Sequence, residues 1–318
     1  MSLLLAGNFD AEEQAQWLAA LREALPGERW VTWRPGLDAA LAAEVDVAVV
    51  ANPPPGSLQG LPRLGFIQSL WAGVDRLLRD ETLPPGVPLA RMVDPAMSAA
   101  MAETALWAVL SLHRGFFDYA AQQCARQWRQ LPQRRADEVA VAVLGLGEMG
   151  GAAAARLAAQ GYRVRGWSRS PHALPGIECT HGEAALPGVL GAADIVVNLL
   201  PLTPATTGLF DAARFAQMRR GAAFVNLARG AHVIEPDLLA ALGDAAAPGR
   251  LHRAVLDVFA QEPLPAHHPF WRHPRVTLLP HAAALTDARS AARVAAENVR
   301  AWRAGRPVAN LVARERGY

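Results

Sequence analysis

Apolar residues follow two rhythms along this chain. Short runs, many of them rich in β-branched residues, recur at Leu3–Leu5, Asp46–Val50, Leu64–Leu70, Val139–Leu144, Arg163–Trp167, Asp194–Leu199, Ala222–Leu227, Arg253–Val258 and Val276–Leu279. Mostly continuous runs of this length predict strands, the one at Val139–Leu144 covered on both faces. Between many of them the spacing becomes helical. Ala11–Leu25 gathers Trp17, Leu18, Leu21 and Leu25 on one side, and Asp211–Arg219 and Glu235–Leu242 read as further helices. Thr286–Ala304 turns Ala291, Val294, Ala295, Val299 and Trp302 toward a core, as a helix returning to cover the first part of the chain. Such alternation predicts an α/β protein with mostly parallel sheets, a smaller domain first and a doubly wound one after it.

One segment stands apart. Ala99–Trp128 reads as long and largely helical, and carries Met101, Leu106, Trp107, Val109, Leu110, Phe116 and Phe117. That is more large apolar surface than a surface helix needs. A hinge helix followed by a subunit contact is expected, with burial inside the monomer as the alternative.

The strand at Val139–Leu144 runs into Gly145, Gly147 and Gly150, spaced G-x-G-x-x-G, and then into the helical AAAARLAAQ. In strand–turn–helix context the first glycine permits the turn, the second lets a pyrophosphate approach, and the third packs helix on strand. The helix N-terminus offers unpaired N–H groups to the phosphates. An acidic residue at the end of the next strand would hold an NAD ribose. Here Arg163–Trp167 ends in Ser168-Arg169-Ser170, with no Asp or Glu. An arginine and two hydroxyls suit a 2′-phosphate, so NADP(H) is expected ahead of NAD(H).

Composition narrows the chemistry. The chain has 318 residues, 52% hydrophobic and 19% charged, which fits two globular domains. A net charge of +2 without a basic–aromatic patch gives no reason to expect a nucleic-acid or membrane partner. The opening MSLLLAGNFD lacks a basic secretory n-region, no uncharged apolar run is long enough for a bilayer, and the two cysteines form no framework. A cytoplasmic protein is expected. All 31 residues of the Lys+Arg count are arginine, which excludes Schiff-base chemistry and a P-loop lysine.

Three strand ends carry reactive side chains: Asn226-Leu227-Ala228-Arg229-Gly230, Leu256-Asp257 through Glu262-Pro263-Leu264-Pro265, and Leu278-Leu279-Pro280-His281-Ala282-Ala283-Ala284. Singly, Arg229 reads as an ion-pair partner, Glu262 as a loop carboxylate and His281 as a satisfied core histidine. Their common position just past apolar strands, at the edge where the glycines would put a nicotinamide, favours a catalytic set. A fourth strand end, Leu70-Trp71-Ala72-Gly73-Val74-Asp75, equally suits an anion held by the Ala72 and Gly73 amides and an ordinary turn. Trp71 walls a pocket or simply packs. His267, His268 and His273 crowd a proline-rich loop without a further metal ligand at a recognisable spacing, so solvated histidines and no metal are expected. His113, His172, His181, His232 and His252 have no comparable context.

Taken together, LWAGVD, GLGEMG, NLLPLTPATTGL, NLARG, LDVFAQEPLP and PHAAA resemble, in order and spacing, the D-isomer-specific 2-hydroxyacid dehydrogenase family. GWSRS, NLARGAHVIEPDLLAAL, HPRVTLLPHAAALT and RERGY are similar to its glyoxylate/hydroxypyruvate reductase A subgroup. The fold expected from pattern and resemblance is two doubly wound parallel-sheet domains. A Rossmann domain over 99–284 is inserted into a smaller flavodoxin-like substrate domain of 1–98 plus 285–318.

The resemblance implies NADPH-dependent reduction of a small 2-oxo acid. Arg229 would grip the carboxylate and keto oxygen, with the Ala72 and Gly73 amides on the carboxylate's other side. His281 would be the general acid, and Glu262 would orient it and favour its protonated form. The implied cofactor contacts are Gly145, Gly147, Glu148, Met149, Gly150, Ser168, Arg169, Ser170, Leu200, Pro201, Thr206, Leu227, Ala228, Arg229, Asp257, His281 and Ala283, and the implied assembly is a homodimer. A reductase of a bulkier 2-oxo acid and a non-catalytic cofactor-sensing protein on the same scaffold are the alternatives.

Overall fold

The structure, a computed structural model, describes residues 1–244 and 247–317. The closing Tyr318 of the RERGY motif therefore lies outside the described residues. The chain divides into two compact units, Met1–Met97 with the segment from Thr286 onward, and Ser98–Leu285.

The first unit is a five-stranded, wholly parallel sheet. Its strands are β1 (Ser2–Gly7), β2 (Trp30–Thr32), β3 (Val45–Ala51), β4 (Phe66–Ser69) and β5 (Leu89–Ala90), in the order β2-β1-β3-β4-β5. Its helices are α1 (Ala11–Ala24), α2 (Ala39–Ala42) and α3 (Asp75–Leu78), joined by α10 (Ala288–Arg303) from the far end of the chain. Neighbouring strand residues alternate between two cores. Leu4, Ala48, Val50 and Ile67 pack on one side, and Leu5, Val49 and Leu70 join Trp17, Leu21, Ala291 and Ala295 on the other. Helix α10 starts at Asp287, whose carboxylate accepts from the Arg289 and Ser290 amides at 2.9 and 3.1 Å. It is pinned by Arg303, which meets Asp46 at 2.8 Å and also pairs with Glu28. The expected return of this helix onto the first domain is what the structure contains, with Trp302 stacked on Phe66.

The second unit holds seven parallel strands: β6 (Ala140–Leu144), β7 (Arg163–Ser168), β8 (Glu178–His181), β9 (Ile195–Asn198), β10 (Ala223–Asn226), β11 (Arg253–Leu256) and β12 (Val276–Leu278). The order β12-β11-β10-β9-β6-β7-β8 reverses direction at β6, which makes the β6–β9 boundary the topological switch point of a doubly wound sheet. Its helices are α4 (Pro95–Arg114, starting just before the unit boundary), α5 (Phe116–Cys124), α6 (Glu148–Ala159), α7 (Leu186–Ala192), α8 (Ala212–Gln217) and α9 (Glu235–Leu242). Val141 and Val143 pack with Ala153, Leu157 and Val109, while Ala142 and Leu144 face Phe210, Phe215 and Phe224. Both faces of β6 are thus covered, which is why its sequence is apolar without alternation. The three phenylalanines have ring centroids 4.6 to 6.0 Å apart. Truncating one of these buried rings to alanine would cost about 3–5 kcal/mol.

Two details refine the expectations. Ala99–Trp128 is not one helix: α4 ends at Arg114, Gly115 takes a left-handed φ of +69°, and α5 stops at Cys124. Gly115 supplies a backbone conformation that a side chain would resist. Helix α4 is also, by length and composition alone, long and apolar enough to cross a bilayer. It packs Met101, Ala105, Ala108 and Val109 into the core and carries Glu103, so part of its apolar surface serves the sheet while Trp107 and Leu110 stay exposed.

Candidate active site

Parallel strands bring their C-terminal ends to one edge, and in the second unit almost every sequence-predicted residue follows such an end. Gly145 follows β6, Ser168 closes β7, Leu200 follows β9, Arg229 follows β10, Asp257 follows β11 and His281 follows β12.

The three glycines do different things. Gly145 sits at φ +92°, and a Cβ there would lie 2.6 Å from the Leu199 carbonyl oxygen. A Cβ on Gly150 would lie 1.7 Å from the Gly145 oxygen, so helix and loop touch through the missing methyl. Gly147 is the N-cap of α6, has no side-chain cap, and its Cβ position faces open space. The start of α6 at Glu148 and Met149 is therefore a clear cradle with uncapped amides, which fits a pyrophosphate. At the end of β7 the Ser168 hydroxyl donates to the Ser170 carbonyl at 2.7 Å, which folds the Ser168-Arg169-Ser170 turn.

The loop after β9 is tied by Thr206. Its hydroxyl donates to the Pro201 carbonyl at 2.8 Å and accepts from the Thr203 amide at 2.8 Å. Thr206 thereby shapes the Leu200–Pro201 turn. Leu227 and Ala228 are buried beneath Arg229, whose Nη1 donates to the Ala228 carbonyl at 2.7 Å. Gly230 is a second close approach: a Cβ there would lie 1.9 Å from the Phe259 carbonyl carbon. The loops that carry Arg229 and Glu262 meet at that point.

Asp257 is buried, and its carboxylate accepts from the Ala282 amide at 2.7 Å and the Ala283 amide at 3.2 Å. Its own carbonyl accepts from the His281 amide at 2.9 Å. Asp257 is therefore the anchor of the histidine loop, and holds His281 in a left-handed backbone conformation at φ +53°. Burial raises the Asp257 carboxyl above its ordinary value, against the two amides that favour its charge.

Glu262 Oε1 accepts from the Phe259 amide at 2.9 Å, while Oε2 lies 2.7 Å from His281 Nδ1. The imidazole therefore donates from Nδ1 and presents Nε2 elsewhere; no partner of Nε2 occurs among the described residues. The hydrogen bond to Glu262 raises the His281 pKa, opposed by burial and by the Arg229 charge. Burial pushes Glu262 up, but the His281 bond, the Phe259 amide and the charges of His281 and Arg229 bring it below its ordinary value. Arg229 thus acts electrostatically on both partners, and the three predicted side chains share one site.

Ala72 and Gly73 belong to the first unit, just past the C-terminal end of β4. Among the described residues neither backbone N–H makes a hydrogen bond. Trp71 is half-buried and meets Trp17 edge-to-face at 5.9 Å, so it does pack.

A family model described as "D-isomer specific 2-hydroxyacid dehydrogenase, NAD binding domain" matches residues 106–283. The chain is 42% identical over 315 residues to a glyoxylate/hydroxypyruvate reductase A from Serratia proteamaculans, covering 98% of this chain and 97% of that protein. This chain belongs to the D-isomer specific 2-hydroxyacid dehydrogenase family. A family structure from Xanthobacter autotrophicus Py2, in complex with NADPH and MES, has a TM-score of 0.93 at 42% identity, covering 100% of this chain and 99% of that one. An NADPH-dependent glyoxylate/hydroxypyruvate reductase from Sinorhizobium meliloti, in complex with NADP and sulfate, has a TM-score of 0.92 at 35% identity with 100% of both chains covered.

Three residues that sequence reasoning passed over lie at and beside the ends of β9 and β10. Asn198 and Asn226, the paired last residues of β9 and β10, are fully buried, and so is His232. His232 was expected to lack context; its ring instead meets Asn198 at 2.9 Å and the Pro201 carbonyl at 3.3 Å. The signal available was the repetition of Asn-Leu after two strands. His268 and His273 are also bound rather than solvated. His268 Nε2 lies 3.3 Å from Glu235, and His273 Nε2 lies 2.8 Å from the Gly243 carbonyl. No group of three His, Cys, Asp or Glu that could hold a metal occurs among the described residues.

Proposed function

We propose that this protein reduces small 2-oxo acids, glyoxylate to glycolate and hydroxypyruvate to D-glycerate, with NADPH preferred and NADH also accepted. The observation that carries this reading is the trio at one sheet edge, in which His281 Nδ1 lies 2.7 Å from Glu262 and Arg229 bears on both. The names of the matched relatives and the NADPH and NADP in the matched structures support it.

The second unit is the dinucleotide domain and the first the substrate domain. Gly145, whose own amide donates to the Trp167 carbonyl, lets the chain turn so that the amides of Gly147, Glu148, Met149 and Gly150 hold the pyrophosphate, and Ser168, Arg169 and Ser170 take the 2′-phosphate. Leu200, Pro201, Thr206, Leu227, Ala228 and Ala283 line the nucleotide, and Asp257 supports the nicotinamide end. When bound, the reduced nicotinamide supplies hydride to the carbonyl carbon. Arg229 grips the substrate carboxylate and keto oxygen with its planar fork and offsets the charge that develops on that oxygen. The Ala72 and Gly73 amides of the first unit, which make no other hydrogen bond among the described residues, supply further donors for a carboxylate. His281, with Nδ1–H committed to Glu262, gives its Nε2 proton to that oxygen, and Glu262 keeps the ring oriented and charged.

The exposed apolar residues Trp107, Leu110, Phe116 and Trp128 on and after α4 and α5 support a homodimer contact. A reducing cytoplasm suits the free Cys124 and Cys179, and no nucleic acid or membrane enters the reading.

The test is a steady-state comparison of glyoxylate, hydroxypyruvate and phenylpyruvate, each with NADPH and NADH. The two small acids with NADPH are expected to give the highest kcat/KM. A clear preference for phenylpyruvate would overturn the substrate class. Tight dinucleotide binding with no turnover on any of the three would make the protein a cofactor-sensing module.

A further inference from the structure

Asn198, Asn226 and His232 form a closed hydrogen-bond chain with no exposed atom to spare. The orientation of each amide is fixed by the backbone. The Leu200 N–H donates to Asn198 Oδ1 at 3.3 Å, and the Ala228 N–H donates to Asn226 Oδ1 at 3.2 Å. Asn198 Nδ2 must then be the donor on its other side. One of its protons goes to Asn226 Oδ1 at 3.0 Å and the other to His232 Nδ1 at 2.9 Å. Since Asn198 Nδ2 has no lone pair to offer, His232 Nδ1 must be bare. The ring is the neutral tautomer with its proton on Nε2, 3.3 Å from the Pro201 carbonyl.

The chain ends on Arg229. Asn226 Nδ2 donates to the Arg229 carbonyl at 3.0 Å, and the His232 backbone N–H donates to the same oxygen at 3.3 Å. The peptide from which the guanidinium departs is thus held by two donors, and both belong to this network. Buried polar chains of this kind fix one geometry because any broken link strands a desolvated group.

We propose that His232 is a positioning residue for Arg229, acting through Asn198 and Asn226, and that its Nε2 ties the Leu200–Pro201 turn to the same framework. The inference rests on the reading of Arg229 as the carboxylate clamp. A clamp displaced by a fraction of an ångström weakens its grip on the 2-oxo acid far more than it weakens the phosphate contacts after β6 and β7, which lie outside the network.

The test compares His232→Phe, His232→Asn and wild type. Phenylalanine keeps the ring volume and removes both nitrogens. Asparagine leaves a cavity but restores an acceptor where Nδ1 sits. The KM for glyoxylate and hydroxypyruvate is expected to rise roughly ten-fold in His232→Phe, with the KM for NADPH changed far less. In His232→Asn, KM should return to within about two-fold of wild type even though the cavity lowers Tm. A residue that only stabilises the fold would make KM follow Tm. Wild-type KM in His232→Phe, or a rise in His232→Asn as large as in His232→Phe, overturns the proposal. Nitrogen-15 NMR of the imidazole provides a readout without turnover: a proton on Nε2 is expected at neutral pH, and one on Nδ1 would also overturn it. If the wild type reduces neither acid, the reductase reading fails. Binding of oxalate to the NADP-loaded protein, followed by fluorescence, then reads the carboxylate grip directly, and the same ranking of variants is expected.

Discussion

Glu262 divides its carboxylate between two partners: Oε1 takes the Phe259 amide at 2.9 Å, and Oε2 lies 2.7 Å from His281 Nδ1. Because its first oxygen is anchored to its own loop, the second cannot swing away, and the imidazole inherits that rigidity. The carboxylate also raises the His281 pKa, so the ring holds its proton to higher pH than a free imidazole does.

The proposed proton donation by His281 requires the protonated ring, so on that reading kcat/KM should hold at low pH and fall as pH rises through the raised His281 pKa. Glu262→Gln removes the charge that raises it. The falling limb should then move to lower pH, and kcat at neutral pH should drop by roughly 10²-fold. A pH profile of kcat/KM for wild type and variant checks both. An unmoved limb would separate Glu262 from the proton donor.

Arg229→Lys keeps the charge and loses the fork. Lysine cannot address a carboxylate and a keto oxygen in one plane, so kcat/KM for glyoxylate should fall by about 10²-fold or more. Steady-state kinetics of the variant should show the loss in both kcat and the KM of the acid, with the KM for NADPH close to wild type. A variant that matched wild type would remove Arg229 from the site.

The 2′-phosphate reading can be tested at Arg169. Charge-assisted bonds of this kind contribute about 1.5–3 kcal/mol, so Arg169→Ala should raise the KM for NADPH by roughly ten-fold or more. The KM for NADH should barely change. The ratio of kcat/KM for the two cofactors is the measurement, and an unchanged ratio would locate the discrimination elsewhere.

Gly230→Ala would put a methyl 1.9 Å from the Phe259 carbonyl carbon. Backbone cannot give way as a flexible side chain would, so the loop of Glu262 must shift. Overpacking of this sort costs about 1–3 kcal/mol, which should appear as a lowered Tm. The pH limb assigned to His281 should move down as well, because the carboxylate that raises it is displaced. A Tm change with an unmoved limb would mean that the loop yields without disturbing Glu262.

Much of the site was readable in the sequence because its logic is local. Each of Arg229, Asp257 and His281 stands just past an apolar run, and parallel strands must end at a common edge, so three separate loops converge without any knowledge of tertiary contacts. Gly145 and Gly150 were readable for the same reason. The edge elements were not. β2 and β5 are three and two residues long, and β8 (Glu178–His181) exposes polar side chains, so none makes an apolar run. The break at Gly115 was obscured by apolar residues on both sides of it. Burial of Asn198, Asn226 and His232 could not be inferred from residue type, since polar residues at strand ends are usually wet. Their polar atoms are met by one another and by the Pro201 and Arg229 carbonyls rather than by water. The bonds of Asp257 to Ala282 and Ala283 were invisible for a similar reason, as they depend on how the histidine loop folds back.

Helix α10 gives the first unit a peculiar schedule. Asn298 donates to Gln68 across 230 residues of sequence, and Ala291, Ala295 and Val299 fill the space beside Leu5, Trp17 and Phe66. During synthesis the stretch Ser98–Leu285 is continuous and can close on itself as soon as it leaves the ribosome. The sheet of the first unit is made earlier yet must wait, with one flank unsheltered, until α10 has been translated. The sheet translated before the inserted unit is therefore completed after it, and a chaperone that guards nascent chains would find apolar surface on β1 and β4 in the interval.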